Sequence, residues 1–120
     1  GESFFRAMES EVLRSLATEA DTVISTGGGT PCFDENMDYM LESGLTIYLK
    51  MTPAQLKSRL LRSSHERPLI KNIRIDDLQG FIEEILGERE KWYSRAEIAF
   101  DRFNSDISDL LVLVRNWIKE

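Results

Sequence analysis

Apolar residues recur at helical spacing through the first segment. Phe5, Met8, Val12, Leu13 and Leu16 share one face and predict an amphipathic helix over residues 3–18. The period then changes. Residues 23–26 read Val-Ile-Ser-Thr, a short β-branched run that predicts a strand and stops at Gly27-Gly28-Gly29. A second helix is expected from a cap at Asp34 to about Ser43, with Gly44 at its C-terminal cap. Residues 45–50 predict a second strand. Thr52-Pro53 opens a third helix with a capping hydroxyl and a proline in the first turn, and this helix runs to about Arg62. Residues 63–74 show no period and contain Pro68. A long helix over 75–95 carries the stripe Leu78, Ile82, Ile85 and Trp92. Residues 98–101 predict a third strand, and Asp106 caps a last helix packed through Ile107, Leu110, Leu111, Val114, Trp117 and Ile118.

Alternating helices and strands imply a parallel sheet covered by helices, an α/β domain in three layers. At 120 residues the chain is a single domain, 1–120. Three short strands make a thin sheet, and a further βαβ unit on the N-terminal side would complete it. The chain opens at Gly1 with a helical pattern already under way at Phe4, as expected of the interior of a longer protein or of a chain trimmed at a loop.

Composition narrows the functions. The net charge of −6 argues against a general nucleic-acid-binding surface. No apolar run approaches the ~20 residues of a membrane span, and no signal peptide is visible. Cys32 and His65 are the only residues of their types, which excludes an internal disulfide and argues against a structural zinc site. A cytoplasmic, monomeric protein is the expectation.

The charge is unevenly placed. Lys57, Arg59, Arg62, Arg67, Lys71 and Arg74 stand against Glu66 alone, a local charge of +5 that leaves −11 for the rest of the chain. A basic stretch without period, on an acidic protein, reads as a mobile element that closes on an anion. A solvated surface loop is the plainer alternative. Arginine suits phosphate because its planar fork donates two parallel hydrogen bonds.

The triple glycine is the sharpest chemical signal. Three glycines leave the backbone bare and free to enter the left-handed region, so main-chain N–H groups can approach a ligand. A strand-to-loop turn is the simpler reading of such a run taken alone. Arg89 stands on the apolar stripe of its helix, three residues before Trp92, where a cation needs an anionic partner or a route to water. A ligand carboxylate and a structural acid both answer that need. Arg6 adjoins the apolar side of its own helix and lies three residues from Glu9, the spacing of an ordinary surface pair. Ser64-His65 has no evident orienting acid and is not read as a nucleophile and base.

Four motifs, in order and at compatible spacing, resemble the shikimate kinase family over essentially the whole chain. Phe5-Arg6 with Glu9 resembles the Phe-Arg-x-x-Glu motif of its substrate-binding helix. Ser25-Thr26-Gly27-Gly28-Gly29 resembles its strand end and glycine loop, Arg67-Pro68-Leu69-Ile70 its lid, and Glu88-Arg89 with Tyr93 its Glu-Arg-x-x-x-Tyr motif. The resemblance implies a P-loop kinase of the nucleoside-monophosphate-kinase-like architecture that moves the γ-phosphate of ATP to the 3-hydroxyl of shikimate, on the way to chorismate and the aromatic amino acids.

Carried over residue by residue, it implies a substrate region over residues 1–30 and a lid over about 63–74. Arg6 and Arg89 would hold the shikimate carboxylate. Gly27, Gly28 and Gly29 would present backbone to the ring hydroxyls, with Glu9 supporting Arg6 from behind. Arg67 would be the catalytic residue, closing over the ATP phosphates, with Arg62 near adenine. The family's Gly-x-x-x-x-Gly-Lys-[Ser/Thr] loop does not occur in these 120 residues. The lysine on the phosphates and the ligands of Mg²⁺ are therefore expected in a segment outside them, none of the metal ligands in this chain, and the fragment alone is expected to be inactive. A related small-metabolite kinase such as gluconate kinase, and a non-catalytic binding domain of the same fold, are the alternatives.

Overall fold

The computed structural model describes residues 1–16, 18–62 and 72–119. Its elements are helix α1 (Glu2–Leu16), a 3₁₀ turn (Thr30–Cys32), α2 (Asn36–Ser43), strand β1 (Ile47–Lys50), α3 (Pro53–Arg62), α4 (Ile75–Tyr93), β2 (Ile98–Asp101) and α5 (Ile107–Lys119). The expected lid lies mostly outside the described residues, and Arg67 with it.

Strands β1 and β2 run parallel, with Tyr48 opposite Ala99 and Leu49 opposite Phe100. Thr46 extends the pairing at the strand entry. Its carbonyl accepts from the Ile98 N–H at 3.2 Å, and its buried hydroxyl accepts from the Glu97 N–H at 3.0 Å. The crossover between the strands is the pair α3 and α4, which pack on each other, as a parallel connection requires. Among the described residues, Leu13, Met37, Leu78, Ile82 and Phe100 are the buried apolar ones.

The helix boundaries follow from local chemistry. Thr52 and Gln55 form a reciprocal capping box: the Gln55 N–H donates to Thr52 Oγ1 at 3.2 Å, and the Thr52 N–H donates to Gln55 Oε1 at 2.8 Å. Pro53 fills the first helical position, where no N–H is needed. Asp76 and Asp77 sit in the first turn of α4, where carboxylates favour the positive end of the helix dipole. At the start of α5 the Asp106 N–H donates to Asp109 Oδ2 at 3.1 Å.

Three expectations change. Residues 23–26 do not form a strand, because no ladder partner stands beside them among the described residues. A strand is defined by its neighbour's hydrogen bonds, and Val23 is 95% exposed. The described sheet therefore has two strands, not three. Asp34 is not the cap of α2. That position is Glu35, and both residues adopt left-handed backbone, φ 50° and 57°. The stripes of α1 and α5 are largely uncovered: Phe5, Val12, Leu111, Trp117 and Ile118 are all exposed. Two strands offer too little face to cover them.

Asn36 organises the middle of the chain. Among the described residues it is the one fully buried large side chain, at 0% exposure. Its Nδ2 donates to Ser10 Oγ at 3.0 Å and to the Thr30 carbonyl at 2.9 Å, and its Oδ1 accepts from Arg14 Nη1 at 2.8 Å. One amide thus ties α1, the 3₁₀ turn and α2. Asn36→Ala leaves buried partners unpaired and is expected to destabilise the fold by about 2–3 kcal/mol in denaturant unfolding. The exposed Ser43→Ala should stay within about 0.5 kcal/mol. Equal values for both would remove Asn36 from this role.

Candidate functional site

The glycine loop is the centre of the site, and its shape comes from what is missing at each Cβ. None of the three glycines has a positive φ, so left-handed backbone is not why glycine stands there. Close approach is. A Cβ on Gly29 would lie 2.7 Å from both terminal nitrogens of Arg6. One on Gly28 would lie 3.0 Å from Arg89 Nη1 and 3.3 Å from the Tyr93 hydroxyl. One on Gly27 would lie 3.3 Å from Thr30 Oγ1 and 3.4 Å from Glu9 Oε2. Side chains from α1 and α4 therefore close on bare backbone from two directions.

Helix α1 supplies the first cation. Arg6 lies 4.2 Å above the Phe33 ring, and its Nη1 donates to Glu9 Oε1 at 2.9 Å. The other oxygen of Glu9 accepts from Thr30 Oγ1 at 2.8 Å. One carboxylate thus holds both the arginine and the residue that ends the glycine loop. Ordinary i,i+3 pairs on a surface do not reach such a third partner, and this one is partly buried. Arg6 Nε is buried without a hydrogen-bond partner and lies 3.7 Å from Glu2 Oε1.

Helix α4 supplies the second. Arg89 has no carboxylate partner among the described residues. Its Nη1 and the Tyr93 hydroxyl stand together over Gly28, where a Cβ would lie 3.0 Å from the one and 3.3 Å from the other, and the hydroxyl donates to the Gly28 carbonyl. Burial raises the Tyr93 pKa above the usual phenol value against the lowering effect of Arg89. Tyr48 packs on Tyr93 with ring centroids 5.1 Å apart and donates to Glu90 Oε2 at 3.1 Å. Burial, and then the Glu90 bond, push Tyr48 up to about 12. Both phenols are neutral donors at physiological pH.

The site residues read from the sequence thus divide. Arg6, Glu9, Gly27, Gly28, Gly29 and Arg89 come together around one loop. Arg62 lies elsewhere, in a cleft of about 380 Å³ lined by Met51, Arg59, Arg62, Arg102 and Phe103. This cleft sits just past the carboxyl ends of β1 and β2, where open parallel sheets receive ligands. Three guanidiniums beside an aromatic ring and a thioether suit an anion joined to a flat ring. Arg102 and Phe103 were not singled out in the sequence, although their place directly after a strand was a usable signal. A larger open hollow beside α2 has its cations engaged: Arg95 pairs with Asp38, and Arg14 with Asn36. Among the described residues no three carboxylate, thiol or imidazole groups converge as a metal cage requires.

Parallel strands joined by a helical crossover, with the glycine loop beside them, are the architecture of the P-loop kinase fold. The comparisons agree. A family model described as shikimate kinase matches residues 1–116. The shikimate kinase of Parabacteroides distasonis is 41% identical over 114 residues, 92% of this chain and 66% of that protein. That of Phocaeicola vulgatus is 44% identical over 100 residues, 83% of this chain and 57% of that protein. The crystal structure of shikimate kinase from Bacteroides thetaiotaomicron superposes with a TM-score of 0.81 at 38% identity, covering 84% of this chain and 57% of that one. The chain belongs to the shikimate kinase family and spans about three-fifths of the length of these relatives.

Cys32 lies on the same 3₁₀ turn, within the field of Arg89, Arg6 and Lys91. Burial raises its pKa above the ordinary thiol value, and the three cations only partly offset this. The thiolate is the reactive form, so alkylation by iodoacetamide at pH 7.5 should be slower than for free cysteine and should rise only on the alkaline side. A rate at or above that of free cysteine would show that the cations outweigh burial.

Proposed function

We propose that this chain is the shikimate-recognising and lid portion of a shikimate kinase, a cytoplasmic monomer that moves the γ-phosphate of ATP to the 3-hydroxyl of shikimate. The observation that carries the reading is the convergence of Arg6 and Arg89 on the side-chain-free backbone of Gly28 and Gly29. Two guanidiniums from separate helices suit a carboxylate, and bare backbone beside them suits a small polyhydroxylated ring.

Each residue then has a physical task. Arg6 and Arg89 fix the carboxylate through charge-assisted hydrogen bonds, and Glu9 fixes Arg6. The glycine loop supplies backbone groups to the ring hydroxyls and leaves room for the ring. The arginine-lined cleft beyond the strand ends, Arg62 included, receives the nucleotide. Arg67, outside the described residues, closes over the phosphates from the lid. Magnesium would neutralise charge between the phosphates, and its ligands are not assigned to this chain. The 120 residues are thus the recognising half of the machinery, and phosphoryl transfer, which depends on positioning and charge neutralisation, needs more than they supply.

The test of the reading is Arg89→Lys in the full-length kinase carrying this chain. An ammonium cannot reproduce the bidentate fork, so shikimate affinity measured by calorimetry should fall about tenfold or more, the worth of one charge-assisted bond. Unchanged affinity would remove Arg89 from the substrate site.

Arg67 is assigned to the phosphates. Arg67→Ala in the same protein is expected to lower kcat by about 10²-fold or more, as for loss of a donor aimed at developing charge. Shikimate affinity without nucleotide should barely change. A collapse of that affinity with kcat intact would reverse the assignment.

A further inference from the structure

The Tyr93 hydroxyl ties α4 to the glycine loop right beside Arg89. It donates to the Gly28 carbonyl, and it stands with Arg89 Nη1 over that residue, where a Cβ would lie 3.3 Å from the hydroxyl and 3.0 Å from the nitrogen. No carboxylate pairs with Arg89 among the described residues, so the hydroxyl beside its guanidinium is the polar group placed to limit its rotamers. Arginine carries about 2 kcal/mol of rotamer entropy, so an arginine held by nothing would lose that freedom only when its ligand arrived. Tyr93 is itself held: its ring packs on Tyr48, whose hydroxyl is anchored to Glu90. The chain Glu90, Tyr48, Tyr93, Arg89 therefore runs from β1 and the body of α4 to the glycine loop.

Resting on the shikimate reading above, we propose that Tyr93 is a positioning residue for substrate recognition, which sets the Arg89 guanidinium against Gly28 so that the substrate carboxylate meets it already aimed. The hydroxyl acts through Arg89 and does not touch the reacting atoms. Its neutral form is required, because a phenolate could not donate to the Gly28 carbonyl. A purely structural tie between α4 and the loop is the competing account, and the two differ in what they make sensitive to the carboxylate.

The experiment uses Tyr93→Phe in the full-length kinase, which removes the hydroxyl and keeps the ring against Tyr48. Shikimate Kd should rise about tenfold, the equivalent of roughly 1.4 kcal/mol. ATP affinity should move less than about twofold, and the melting temperature by no more than about 2 °C. With a shikimate analogue whose carboxylate is replaced by hydroxymethyl, the penalty should vanish. The double variant with Arg89→Lys should lose little beyond Arg89→Lys alone, because the two residues act as a unit. The same penalty with the carboxylate-free analogue, a parallel loss of ATP affinity, or a large fall in melting temperature would each establish the structural tie and overturn the proposal. Weak binding in Arg89→Lys with normal binding in Tyr93→Phe would overturn the proposal alone. Normal binding in both would bring down the substrate reading and the proposal with it.

Discussion

The buried amide of Asn36 is the constraint on which the site's geometry rests. An unpaired amide in such a place would cost several kcal/mol, so its partners have little freedom to leave. Those partners are the α1 residues Ser10 and Arg14 and the carbonyl of Thr30, the first residue after the glycines. Fixing Thr30 fixes the end of the glycine loop. Fixing Ser10 fixes the turn of α1 that carries Glu9 and, one turn earlier, Arg6. The amide is chemically inert and touches no ligand, yet it sets the distance between the two.

From that anchor the site divides its electrostatics unequally. Arg6 is partly neutralised by Glu9 and stacked on Phe33, so it is rigid and its field is softened. Arg89 has the neutral Tyr93 hydroxyl beside it over Gly28 and no carboxylate partner among the described residues. Such an arrangement avoids the cost of two bare guanidiniums side by side in a ligand-free protein, while leaving enough positive charge to attract one carboxylate. The nearby thiol of Cys32 registers the same balance, with burial prevailing over the cations around it.

Much of this was legible in the sequence. Local signals located α3, α4 and β2 closely, because capping pairs and apolar periods are written in neighbouring residues. The site residues around the glycines came from motif resemblance, and the structure brings them together. Residues 23–26 failed as a strand because β-branched composition says only that a segment could pair, not that a partner is beside it. Asn36 was unreadable because its partners lie 22 and 26 positions away in the case of Arg14 and Ser10, and nothing in the local pattern separates a buried asparagine from an exposed one. The glycines were singled out both for bare backbone and for left-handed freedom, and only the bare backbone is used here: sequence cannot distinguish a need for left-handed backbone from a need for space.

The two helices that carry the arginines have little direct hold on each other. Both pack instead against the short turn at Thr30–Cys32. On the proposed reading, a carboxylate gripped by Arg6 and Arg89 becomes a strut across that seam. Ligand binding would then be felt as mechanical stiffness, with α1 and α4 moving as one body only while the substrate is in place. Substrate occupancy and the rigidity of the domain would be two measurements of the same event.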